Sequence, residues 1–129
     1  MTYPIENIPL VRLKKRSEFL RVASTQIKQV TPGLILQGRN HTSQEIESEK
    51  IANIRFGFTV SKKVGNAVAR NRAKRRLKAA VQFIPTNKAP SNVDFVIIGR
   101  QNTLKRPFSE LVSDLEKALL KIQLPMRNT

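Results

Sequence analysis

The sequence predicts an α+β fold, an α/β sandwich in which helices pack on a small sheet. Three observations carry this. Residues 54–61, IRFGFTVS, place Ile54, Phe56, Phe58 and Val60 on one side and Arg55, Gly57 and Thr59 on the other, the period of a strand. Residues 93–100, VDFVIIGR, form a nearly continuous apolar run of strand length, typical of a strand buried on both faces. Segments 66–84 and 107–123 have helical periodicity.

Taken in order, residues 1–11 contain Pro4 and Pro9 and read as an irregular lead-in. The basic cluster Arg12, Lys14, Lys15 and Arg16 precedes a short helix over 17–24. Ser17 sits at its N-cap position, Glu18 lies in the first turn, and Phe19, Val22 and Ala23 share a face. Pro32-Gly33 marks a turn, and LILQG at 34–38 a strand, with room for one further early strand. Residues 39–53 are polar and read as an exposed hairpin loop between two strands, with His41, Glu45, Glu47 and Glu49 solvated. After the strand at 54–61, Gly65-Asn66 opens a helix with Asn66 as cap, and Pro85 stops it. A loop with Pro90 leads to the apolar strand, so strand, helix and strand form a parallel crossover unit. The last helix carries Pro107 near its start and an apolar stripe of Phe108, Leu111, Val112, Leu115, Leu119 and Ile122; 124–129 is a tail. The order is α-β-β-α-β-α.

With 129 residues, the chain has the length of a single domain spanning 1–129. It contains no cysteine, which excludes disulfide scaffolds, thiolate zinc sites and cysteine nucleophiles. His41 is the single histidine, so a multi-histidine metal site is impossible. Apolar runs such as FVII at 95–98 fall far short of the ~20 residues of a membrane span. The start, MTYPIENIPLV, lacks the pattern of a secretory signal, and the cytoplasm is the expected location.

Lysine and arginine number 24 against 9 acids, for a net charge of +15. A field of that size argues for a polyanionic partner, most simply nucleic acid. No acid occurs between Ile51 and Val93. On a helical wheel Ala69, Ala73, Leu77, Ala80 and Ile84 cluster on one side. Arg70, Asn71, Lys74, Arg75 and Lys78 share an adjoining arc, and Arg72 and Arg76 lie beyond the other edge. Arg70, Lys74 and Lys78 stack like charges at i,i+4, which weakens the helix by some tenths of a kcal/mol per pair and points to an external anion. The helix start near Gly65-Asn66 adds free N–H groups suited to phosphate. Because the apolar side is mostly alanine, it suits packing on a sheet better than insertion into lipid, so no membrane partner is expected. A protein-based phosphodiester hydrolase needs clustered carboxylates to hold metals, and the nine acids form no such constellation. No catalytic group and no metal ligand of the chain's own is expected.

The segment TVSKKVGNAVARNRAKRRLK at 59–78 closely resembles the bacterial ribonuclease P protein family. The matching positions are Ser61, Lys62, Lys63, Gly65, Ala67, Val68, Arg70, Asn71, Arg72, Lys74 and Arg75. RLKKRSEFLRV at 12–22 is similar to the family's first helix and DFVIIGR at 94–100 to its later strand, so the likeness covers most of 12–122. The resemblance implies a central sheet of about four strands with three helices, in a ribosomal-protein type of fold. Its β-α-β crossover is left-handed in the family, against the general right-handed rule. It further implies the protein subunit of a ribonucleoprotein whose RNA subunit removes the 5′ leader of precursor tRNA. Magnesium would sit at the RNA active site and no cofactor would be held tightly by the protein.

By the same resemblance, Lys62, Lys63, Arg70, Asn71, Arg72, Lys74, Arg75 and Lys78 would contact RNA phosphates and 2′-hydroxyls, arginine giving the better bidentate grip. Phe19, Gln37, Arg12 and Lys14 would face the leader. Phe19 has two readings, stacking on an unpaired base or packing on the sheet. Ala23 and Gln37 stand where the family often has aromatics, which implies hydrogen bonding by Gln37 in place of stacking. Ala73 replaces a commonly larger aliphatic residue, a change in packing. Phe56, Phe58, Phe95 and Phe108 read as core. The alternative is a ribosomal-protein-like RNA-binding module without a processing role.

Overall fold

The computed structural model describes residues 11–48, 54–84 and 91–125. The elements are α1 (Arg16–Ser24), β1 (Lys28–Val30), β2 (Leu34–Asn40), α2 (Ser43–Ser48), β3 (Ile54–Val60), α3 (Ala67–Val81), β4 (Val93–Gly99) and α4 (Phe108–Lys121). Short 3-10 turns at Lys62–Val64 and Gln101–Thr103 follow β3 and β4. The four strands form one sheet in the order β1-β2-β4-β3. β4 runs antiparallel to β2 and parallel to β3, so β3-α3-β4 is the expected parallel crossover. The early strand left open by the sequence is β1, antiparallel to β2. The near-continuous apolar run is β4, enclosed on both edges.

Strand register sorts the side chains into two faces, because directly paired residues point the same way. One face carries Leu34, Leu36, Phe56, Phe58, Phe95 and Ile97, covered by α3 and α4 through Leu77, Ala80, Leu111, Leu115 and Leu119. Each such large side chain contributes about 1.5–3 kcal/mol on burial, so this cluster dominates the stability. The Phe56 and Phe95 rings stack across it at 5.6 Å. On the other face α1 rests on a small cluster of Leu13, Val22 and Val96, with Phe19 and Ile98 against it.

Residues 39–53 are not a hairpin loop. β2 and β3 are separated by β4, which buries its apolar run by taking a strand on each side. Arg39 and Asn40 belong to β2, Ser43–Ser48 forms α2, and His41 is only 3% exposed. Residues 49–53, with Glu49, lie outside the described residues, as do 1–10, Pro85, Pro90 and 126–129.

α1 begins one residue earlier than expected, with Lys15 at the N-cap and Ser17 inside the first turn. Glu18 takes over the capping: its Oε1 accepts from the N–H groups of Lys14 at 3.1 Å and Lys15 at 2.9 Å. Beyond Thr25 the chain passes through Gln26 at φ 58°, the left-handed turn that commonly ends a helix. In α3, Asn66 caps as expected, its Oδ1 accepting from Ala69 N–H at 2.9 Å. α3 ends at Val81, ahead of Pro85, and Val81 takes the buried place expected of Ile84, which is half-buried.

Leu13 N–H donates to Phe56 O and Phe56 N–H donates to Val11 O, both at 3.0 Å, so residues 11–13 run parallel to β3 along its outer edge.

Candidate nucleic-acid interface

α3 packs Ala73, Leu77, Ala80 and Val81 into the core, and alanine lets the rod sit close to the sheet. The opposite side is left to the cations. Asn71, Arg72 and Arg75 are exposed, and Arg70, Lys74 and Lys78 are half-buried. Val68, Asn71, Lys74, Arg75 and Lys78 line an open concavity of about 450 Å³. Lys78 reaches back over the core, its Nζ 6.0 Å from the Phe58 ring centroid. Its pKa is lowered by burial, then by the charges of Arg12 and Lys74. Arg12, on the segment beside β3, thus extends the cationic field from α3 around the sheet edge. Lys62 and Lys63 occupy the exposed turn between β3 and α3, where Gln101 Nε2 donates to Lys63 O at 3.0 Å.

The carboxylates act elsewhere. Glu18 and Asp94 pair with Arg55, Glu45 and Asp94 with Arg39, and Glu110 and Asp114 with Arg106. None of these pairs uses a cation of α3. Two α3 arginines are hydrogen-bonded to main chain. Arg70 Nη1 donates to Gly65 O at 2.9 Å, steadying the turn before the helix. Arg76 donates from Nε to Thr103 O at 3.0 Å and from Nη2 to Arg106 O, which makes it a strut between α3 and the start of α4.

The residues expected to face a leader fall into two groups. Phe19 and Gln37 share the α1 face of the sheet: the register aligns Gly57, Val96, Gln37 and Lys28 in one row, and Phe19 lies on Gly57. Two strand spacings, roughly 10 Å, separate the ends that Phe19 and Gln37 occupy. Phe19 is half-buried with its ring edge against the Gly57 backbone, so its packing on the sheet is the reading the geometry favours. Arg12 and Lys14 are exposed on the segment at the far edge of β3. The sequence reading missed the next row, Val30, Ile35, Ile98 and Thr59, of which Ile98 packs against the α1 cluster. Val30 is 54% exposed and Ile35 and Ile98 are half-buried, a small apolar shelf beside Gln37. Its signal was the apolar Ile35 and Ile98 standing between the core residues of β2 and β4.

His41 and Glu45, expected to be solvated, belong to a buried ionic chain. His41 Nε2 lies 2.7 Å from Asp94 Oδ1, and Arg39 makes paired hydrogen bonds of 3.1 and 3.0 Å to Glu45. Burial raises the Glu45 pKa, but hydrogen bonds from Arg39 and Thr42 outweigh it and hold the carboxyl at about 2. Asp94 is also driven below the usual carboxylate range. Burial opposes this, and the hydrogen bonds from His41 and Arg55 prevail.

Among the described residues, no group of three or more histidine, cysteine, aspartate or glutamate side chains is placed to hold a metal. No helix among them is long and apolar enough to cross a membrane. The profile of the family described as Ribonuclease P matches residues 9–123. The chain is 49% identical over 113 residues to the ribonuclease P protein component of Paramagnetospirillum magneticum, covering 88% of this chain and 83% of that one. It is 47% identical over 110 residues to that of Gluconacetobacter diazotrophicus, covering 85% and 89%. The fold is similar to the RNase P protein of Staphylococcus aureus, with a TM-score of 0.66, 25% identity, and 86% and 94% of the two chains covered. It is likewise similar to that of Thermotoga maritima, with a TM-score of 0.69, 22% identity, and 87% and 97% covered.

Proposed function

The chain belongs to the ribonuclease P protein family, and from that premise we propose that it is the protein subunit of a ribonuclease P ribonucleoprotein. It binds the RNA subunit and the 5′ leader of precursor tRNA, and assists removal of the leader in the cytoplasm. One observation carries the RNA-binding part: among the described residues, Glu18, Glu45, Asp94, Glu110 and Asp114 pair with Arg39, Arg55 and Arg106, while Asn71, Arg72 and Arg75 of α3 stand exposed to an outside anion. Arg72, Arg75 and Asn71 are exposed to grip phosphates and 2′-hydroxyls, and Lys62, Lys63, Lys74 and Lys78 extend the patch. The α1 face of the sheet beside Gln37 offers the exposed Val30, the half-buried Ile35 and one carboxamide, a surface suited to an unpaired strand.

Hydrolysis on this reading belongs to the RNA, with Mg²⁺ at its active site. Among the described residues, Glu18, Glu45, Asp94 and Asp114 already accept from guanidinium groups, which makes them poor magnesium ligands. The chain's own part is to hold the two RNAs in place.

The test is reconstitution. The chain, a bacterial ribonuclease P RNA and precursor tRNA are combined at low Mg²⁺. Enhanced and accurate 5′ maturation supports the proposal. RNA binding without enhancement makes the chain a general RNA-binding module, and cleavage by the chain alone overturns the assignment of chemistry to RNA.

A further inference from the structure

We infer that Glu18, Arg55 and Asp94 are positioning residues that set where α1 stands over the sheet, and with it the shape of the leader-facing surface. The inference rests on the leader reading above. Arg55 and Asp94 are register partners on β3 and β4, and Arg39 is the partner of Asp94 on β2. Arg55 donates to both Asp94 oxygens, from Nε at 2.9 Å and from Nη2 at 2.8 Å. Its third donor, Nη1, reaches Glu18 Oε2 at 2.6 Å. Arg39 Nη2 and His41 Nε2 complete the shell of Asp94, which is 1% exposed. The chain of charge therefore runs from α1 across three strands.

At its C-terminal end α1 is held to β2 by Thr25 Oγ1, which donates to Gly38 O at 3.0 Å; Glu18 is the matching polar anchor at its N-terminal end. The apolar footing of α1 is the small cluster of Leu13, Val22 and Val96 with Phe19 and Ile98. An apolar footing is non-directional, whereas a charged hydrogen bond to a guanidinium specifies distance and angle. The other oxygen of Glu18 holds the N–H groups of Lys14 and Lys15, so the same carboxylate that docks the helix also fixes the backbone carrying Lys14. Phe19, the next residue, lies against Gly57, two residues beyond Arg55. The contacts 18–55 and 19–57 together set the height and tilt of α1. A buried ion pair adds little net stability over an apolar replacement, so its consequence is sought in geometry.

The experiment uses holoenzyme reconstituted with a bacterial ribonuclease P RNA. Glu18→Gln keeps an oxygen for the Lys14 and Lys15 N–H groups and removes the charge that docks on Arg55. Precursor tRNA with a single-stranded leader and the same tRNA without it are compared. The inference expects the KM for the leader-bearing substrate to rise by about threefold to tenfold, the size of one weakened charged contact. Affinity for leaderless tRNA, affinity for the RNA subunit and kcat should stay unchanged, and α1 amides should exchange faster with solvent. Equal losses on both tRNAs or on the RNA subunit mean a merely structural role and overturn it. Gln37→Ala is run alongside: if it weakens leader binding and Glu18→Gln does not, the inference fails alone; if neither does, the leader reading fails and takes the inference with it.

Discussion

The ring of Phe19 lies directly on the backbone of Gly57: a Cβ at position 57 would stand 2.6 Å from Cε1 and 2.8 Å from Cζ of that ring. The absent side chain is what allows helix and sheet to approach. Gly57→Ala should therefore displace α1 and cost about 1–3 kcal/mol, the range of overpacking. A lowered urea midpoint with an unchanged slope would confirm it. An unchanged midpoint would mean that α1 is not seated there.

Arginines on α3 should separate by partner. Arg72→Ala with Arg75→Ala removes two exposed cations, so stability should change by less than about 0.5 kcal/mol. The slope of log affinity for ribonuclease P RNA against log salt should flatten by roughly one to two. Normal affinity and slope would show that this face is not the interface.

Arg76→Ala should behave in the opposite way. Its guanidinium spans to the carbonyls of Thr103 and Arg106, so removal leaves two main-chain acceptors without that donor. The expected loss is about 1–3 kcal/mol of stability. Thermal unfolding reads it, and salt dependence of RNA affinity should change less than in the Arg72/Arg75 pair.

Removing the hub should cost most. Asp94→Asn leaves the half-buried Arg39 and Arg55 with less compensation around a buried position, and about 3–5 kcal/mol is expected. Denaturant unfolding measures it, and a loss below about 1 kcal/mol would show that water, not Asp94, satisfies those guanidiniums.

Stability should depend on pH in acid. Glu45 at about 2 and Asp94, also lowered, both sit below the unfolded values of about 4. A depressed pKa stabilises the fold above the unfolded value, and that contribution disappears as pH falls through the folded one. Urea midpoints should stay level from about pH 7 to pH 5 and drop below about pH 4.5, less steeply in Glu45→Gln. A drop already present between pH 7 and pH 6 would put a different group in control.

The cationic face of α3 was legible because everything it needs is local. Asn66, the alanine stripe and the absence of acids all act within one helix. Val81 shows the limit of the wheel: it is buried although the wheel left it out, while Ile84, beyond the helix end, still packs against the same core. Ser17 misled for a similar reason, since Glu18 was the better acceptor for the N–H groups ahead of it. His41 looked like loop charge because its partner, Asp94, is 53 residues away, while Glu45 pairs with Arg39 only six residues before it, a local pair that reading 39–53 as a loop concealed.

By itself, then, the sequence determined helices α1, α3 and α4 and strands β2, β3 and β4, which of these strands is covered on both faces, and which helix carries a cationic face, but not α2 or the end of β2. Each of these follows from periodicity, capping or composition over a few turns of chain. Tertiary structure alone decided that β4 separates β2 from β3, that Arg39, Asp94 and Arg55 stand in one row, and that α1 is docked by Glu18. Those relations depend on strand order and register, which minimise exposed apolar edge over the whole sheet, and no local window of residues contains that energy.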